Sequence, residues 1–171
     1  MDIASHGLWG GVFFGRKNRK TFWQAFIFGV APDMLSFGIF FVQRIYSRGF
    51  DFLSGPPPVS IIPPYVSSMY NTTHSLIIFA AAFFVVWILR KKILAPMLAW
   101  GFHIILDIFT HNEKFFPTPF LWPILDYKFD GISWGHPAIW FSNLGLLMLF
   151  YLLFWRRKRL LRGLKNQENQ V

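Results

Sequence analysis

Apolar residues run almost unbroken along four stretches of this chain, at about 22–46, 70–89, 93–110 and 138–155, with polar and turn-forming residues gathered between them. A hydrocarbon layer takes about 20 mostly apolar residues as a helix, so each stretch predicts a membrane-spanning helix. The second is short by that measure and gains length by starting near Tyr70. The fold class that follows is all-α: an integral membrane four-helix bundle. Residues 3–15, I-A-S-H-G-L-W-G-G-V-F-F-G, are apolar but too short to span, which predicts a re-entrant or interfacial segment. A cleaved secretory signal is the rival reading of the first stretch; the apolar run continues well past Asp33, which favours a retained anchor. The organisation is then one α-helical membrane domain over 1–162, followed by a polar, frayed tail at 163–171.

Pro32-Asp33 interrupts the first stretch. Proline removes a helical N–H and clashes with the preceding turn, which predicts a break or kink there, with Asp33 either capping a second half-helix or presenting a carboxylate at membrane depth. Thr72 or Thr73 is the expected N-cap of the second stretch, and Pro137 the first helical residue of the fourth.

Composition agrees with the pattern. The chain of 171 residues is 54% hydrophobic and 15% charged, against about 25% charged in a soluble domain. The net charge of +9 could signal nucleic acid, but the basic runs at 16–20, 90–92 and 156–162 each abut an apolar stretch. They read as topology signals and lipid-headgroup contacts, not as a nucleic-acid surface. Two spans separate each run from the next, so all three fall on one side; of the 17 Lys and Arg only Arg44, Arg48, Lys114 and Lys128 fall on the other. The positive-inside rule puts both termini in the cytoplasm and the loops 47–73 and 111–137 outside. The location implied is the inner, or cell, membrane, crossed several times. There is no cysteine, which excludes disulfides and thiolate zinc sites and leaves His, Asp and Glu to hold any metal.

The third stretch carries His103, Asp107 and His111. Steps of four share one helix face, and ionisable groups within an apolar span point to function. Imidazole nitrogen and carboxylate oxygen are also what divalent metals take; the bland alternative is a hydrogen bond gluing two spans. His74 begins the second stretch, His136 precedes the fourth in W-G-H-P, and His6 lies in the short N-terminal segment. His74, His111 and His136 fall on the predicted outer side, with Asp33, His103 and Asp107 below them. A four-helix bundle can gather such inward-facing groups. Asp126 and Asp130 read as solvated loop carboxylates.

The ordered set His6-Gly7, Ala31-Pro32-Asp33, Thr72-Thr73-His74-Ser75, His103 through His111 and Pro123 through Phe129 resembles the YdjM-like family of inner-membrane, metal-dependent hydrolases, over about residues 1–155. The order of ligands is also similar to that of the zinc-dependent phospholipase C fold. The resemblance implies a primary metal held by Asp33, His74, His103 and Asp107. It also implies a second shared by His6 and a bridging Asp107, with His111 and His136 contributing to another. Where the phospholipase pattern has a glutamate after the last histidine this chain has Trp140, so one or two metals are implied. The ion expected is zinc, with manganese or magnesium as alternatives.

The function expected is hydrolysis of a phosphoester or lipid-headgroup bond, with Asp33 or Asp107 accepting a proton from water and membrane lipid as partner. A proton or cation transporter using Asp33, His103 and Asp107 is the main rival, and a bis-histidine haem subunit is a third.

Overall fold

The computed structural model describes residues 1–48 and 57–168. Among them the secondary structure is helical: α1 (Ile3–Phe14), α2 (Arg19–Arg48), α3 (Pro64–Thr73), α4 (Leu76–Arg90), α5 (Leu98–Thr110) and α6 (Pro137–Glu168), with 3-10 turns at Val59–Ile61 and Ala95–Met97. The all-α expectation holds. Two helices, α2 and α6, are long and apolar enough to cross a membrane, and α3 with α4, bent by 57°, makes a third if the pair counts as one span. The helix over Ala95–Thr110 is apolar but shorter.

The N-terminal segment folds as a helix of 12 residues, roughly 18 Å long and too short to span. Asp2 caps it by accepting from Ser5 N at 2.9 Å. It is buried along Ser5, His6, Gly7, Trp9, Gly10, Gly11 and Val12. Close packing on α2 depends on glycine: a Cβ on Gly29 would lie 2.5 Å from the His6 carbonyl oxygen. In the turn to α2, Asn18 Oδ1 accepts from Thr21 N at 2.9 Å while Thr21 Oγ1 accepts from Asn18 N at 3.0 Å, a reciprocal cap.

Three local expectations are corrected. First, α2 runs on through Pro32 without a break, so Asp33 is a mid-helix carboxylate and caps nothing. Second, the outer segment 47–73 is not all loop; within it α3 and a 3-10 turn pack Ile62, Val66 and Tyr70 against Phe37 and Phe40 of α2. Residues 49–56 of that segment lie outside the described residues. Third, α6 continues into the tail as far as Glu168, with 169–171 outside the described residues.

Nearly half (44%) of the apolar window of α2 is buried, against 6% for α6. α6 is therefore peripheral; Phe150 packs on Trp9 and Phe13 with ring centroids 5.5 and 5.6 Å away, and three polar contacts add to that. Trp9 Nε1 donates to Asn143 Oδ1 at 2.7 Å, Asn143 Nδ2 donates to Ser5 Oγ at 2.8 Å, and Tyr151 OH donates to the Leu8 carbonyl at 3.1 Å. Asn143→Leu removes both buried amide bonds and strands the Trp9 donor. It is expected to cost about 1–2 kcal/mol, read as a lower SDS-unfolding midpoint; an unchanged midpoint would mean α6 is held by its apolar contacts alone.

Candidate metal centre

The break between α3 and α4 puts His74 inside the protein. Ser75, not Thr72 or Thr73, caps α4, its Oγ accepting from Ile77 N and Ile78 N at 3.1 and 3.2 Å. Irregular backbone at membrane depth survives only where protein satisfies it, and here it does. Trp100 Nε1 donates to the Thr73 carbonyl at 2.7 Å, Leu76 N donates to Phe120 O at 2.9 Å, and Ser75 Oγ donates to Trp122 O.

α2 supplies Asp33, the break His74, and α5 His103 and Asp107. All four are buried, and one ligand atom from each lies within 4.8 Å of the others. Nε2 of His103 stands 3.0 Å from Nε2 of His74. His74 Nε2 is 3.4 Å from Asp33 Oδ1 and 3.6 Å from Asp107 Oδ2; for His103 Nε2 the same two distances are 3.9 and 3.3 Å. Four ligands placed 2.0–2.1 Å from a tetrahedral zinc stand about 3.3–3.4 Å apart. The observed separations scatter around that value.

The other ring nitrogens fix which atoms face inward. His103 Nδ1 lies 2.6 Å from the Gly29 carbonyl, which can only accept, so Nδ1 carries the hydrogen. His74 Nδ1 lies 2.9 Å from Thr73 Oγ1, whose own hydrogen goes to Met69 O at 2.9 Å. In the neutral rings both Nε2 atoms thus present lone pairs to each other and to two carboxylates. Acceptors cannot satisfy acceptors; a shared proton or a shared metal cation can. Metal-bound histidines are oriented by such partners on the second nitrogen.

Asp107 has a second pole. Its Oδ1 lies 2.9 Å from His6 Nε2 and 3.5 Å from His111 Nε2, with the Met1 amino group also against it. His6 stacks on His103 with ring centroids 3.6 Å apart. Both His6 nitrogens and Asp107 Oδ2 are buried without a hydrogen-bond partner, which in a folded protein needs explanation. Burial pushes the His6 imidazole down to about 3 and lowers that of His111, so both rings are neutral, the form that ligates. His111 Nδ1 lies 2.8 Å from the Phe116 carbonyl, which also accepts from Tyr70 OH at 3.0 Å. Phe116 has φ of 48°, a left-handed conformation uncommon for a bulky residue, and it sits in a segment that orients a cluster member.

Of the sequence-predicted residues, His6, Asp33, His74, His103, Asp107 and His111 are brought together. His136 is not: it is exposed, and its Nδ1 accepts from Ala138 N at 3.3 Å at the start of α6, a capping role. Asp126, 76% exposed at its side chain, pairs with Lys128 at 3.0 Å. The haem reading fails on geometry, because imidazole nitrogens 3.0 Å apart leave no space for a macrocycle between them. Of the orienting residues, Thr73 and Tyr70 entered the sequence analysis as helix-start positions, and Gly29 and Phe116 carried no signal in the pattern.

No protein family, curated protein or solved structure matches the chain.

Proposed function

We propose that the protein is a membrane-embedded, metal-dependent hydrolase of phosphoester bonds, with lipid headgroups as the substrate class nearest to hand. The observation that carries this reading is the pair of histidine Nε2 atoms 3.0 Å apart, both turned towards Asp33 and Asp107 by the hydrogen bonds on their other nitrogens. The donor set of two imidazoles and two carboxylates suits zinc, with manganese or magnesium as alternatives. His6, Asp107 Oδ1 and His111 form a candidate second position.

A divalent ion held there supplies Lewis acidity, lowering the pKa of water toward ~7 and polarising a phosphoryl oxygen. The chain does the rest. Asp107 holds both poles together through its two oxygens. Asp33 is the most open of the four ligands, its side chain 8% exposed where those of His74, His103 and Asp107 are 0%, so Asp33 is the carboxylate placed to take a proton from water. The segment 111–137 folds back over α5, with Gly131 N, Ile132 N and Trp134 N donating to His111, Phe109 and Thr110 carbonyls. It shields this end of the site from bulk water.

One packing feature favours hydrolysis over transport. A path through the bilayer needs polar groups on both sides of the cluster. Towards the basic end α1, α2 and α5 close tightly, so that a Cβ on Gly10 would meet Ala25 O at 2.6 Å and Ala99 Cβ at 2.9 Å. In this reading the chain crosses the inner membrane four times with both termini cytoplasmic, and the centre lies in the outer half of the bilayer beneath segment 111–137.

The test is the metal content of the purified protein together with headgroup or phosphate release from lipid extracts. We expect stoichiometric metal, turnover abolished by EDTA and restored by zinc or manganese, and both lost in His103→Ala. A parent protein that neither carries nor binds these ions would end the hydrolase reading, and ion flux in liposomes without turnover would favour transport.

A further inference from the structure

A second feature lies away from the metal centre. At the basic end of the bundle a cavity of about 800 Å³ opens between the turn at 15–18 and residues 150–158 of α6. Its rim carries Arg16, Lys17, Arg19, Arg157 and Lys158, and its floor is formed by Phe22, Phe150 and Phe154. Among the described residues none of those five cations pairs with a carboxylate. Arg16 is steered by a hydrogen bond from its Nε to the Val12 carbonyl, which fixes its guanidinium at the rim. Arg19 and Asp33 share α2 and stand roughly 20 Å apart along it at 1.5 Å per residue, so this cavity is no part of the metal site.

Charge and shape together select a ligand. Five cations around one opening, without a carboxylate partner among the described residues, favour an anion, and clustered Lys and Arg beside spanning helices attract anionic headgroups. A small free anion would leave the aromatic floor unused. The neighbouring face of α6 exposes Leu149, Leu152 and Leu153, so a hydrocarbon chain leaving the cavity stays against apolar surface. We infer that the cavity is a binding site for an anionic glycerophospholipid of the leaflet at the basic end, its phosphate held at the rim and its acyl chain against the phenylalanines. The lipid fills the gap between α6 and the α1–α2 turn, where the protein's own contacts are sparse.

The test titrates the full-length protein in detergent with phosphatidylglycerol or phosphatidylcholine and counts retained lipid by native mass spectrometry. The parent is expected to prefer phosphatidylglycerol by about tenfold or more, since each cation within reach of the bound headgroup contributes about fivefold. Arg157→Gln with Lys158→Gln should erase most of that preference, and Arg90→Gln with Lys92→Gln, at the same end but outside the cavity, should change it less than about twofold. Both variants are surface changes, and an unchanged SDS-unfolding midpoint shows that the fold survives. Equal retention of the two lipids by the parent, an equal loss in the two double variants, or displacement of phosphatidylglycerol by glycerol 3-phosphate would each overturn the proposal. Metal content is measured separately, so its failure leaves this result standing.

Discussion

Asp107→Asn is expected to reduce bound metal below about one-tenth of the parent stoichiometry and to lower turnover by at least about 10³-fold. The residue is the hub of the cluster, with His6, His74, His103 and His111 all within 3.6 Å of its two oxygens. The amide keeps the shape but removes the charge and replaces one acceptor with a donor. Its effect on the metal-free protein separates two roles. If Asp107 were a structural ion-pair partner, cutting a buried pair would cost about 3–5 kcal/mol whether or not metal is present. If it is a ligand, Asp107 Oδ2 in the metal-free protein faces the neutral rings of His74 and His103, and an Asn N–H at that position can satisfy one imidazole lone pair. The metal-free variant should then unfold at the same SDS concentration as the metal-free parent or a higher one, while the stabilisation that zinc confers on the parent disappears. Equal zinc stabilisation of parent and variant would remove Asp107 from the ligand set.

The part of the site that lies on one helix was legible from spacing alone. His103 and Asp107 are one turn apart on α5 and are 1% and 0% exposed, as a face at i, i+4 requires. Their meeting with Asp33 and His74 depends on tertiary packing, which no spacing encodes; those two residues entered through the order of motifs along the chain. Local signals failed where the surroundings outweighed them. Pro32 does not break α2, because a broken helix at that depth would leave more backbone groups without partners than one missing N–H does. Thr72 and Thr73 look like N-caps, yet their hydroxyls donate backward to Ser68 and Met69 carbonyls at 3.1 and 2.9 Å, and they close α3 instead. His136 shared the character of the other histidines in sequence, but it precedes a helix that stands at the periphery. The segment 111–137 has no periodicity, so nothing in its pattern foretold that its backbone would pair with the end of α5.

Gly29→Ala is the smallest change expected to damage the centre. The added methyl would lie 2.5 Å from His6 O, 3.0 Å from His6 C and 3.1 Å from Gly7 Cα. All three are backbone atoms of α1, so no rotamer change relieves them and the helix must move. α1 carries His6, whose Nε2 is 2.9 Å from Asp107 Oδ1, and the Gly29 carbonyl faces His103 Nδ1 at 2.6 Å. One methyl therefore shifts two members of the cluster. Alanine gains about 1 kcal/mol over glycine in a helix, but overpacking costs about 1–3 kcal/mol and a displaced orienting partner costs about 10–100-fold in metal affinity. The expected result is a less stable protein that binds zinc at least tenfold more weakly. Gly38→Ala on the same helix is the comparison, since its Cβ would meet only Met34 Cε at 3.5 Å; there the propensity gain stands and zinc binding is unchanged. The two variants should move SDS-unfolding midpoints in opposite directions. If both rise and both keep full zinc affinity, α1 is not seated on Gly29, and His6 loses its place beside the centre.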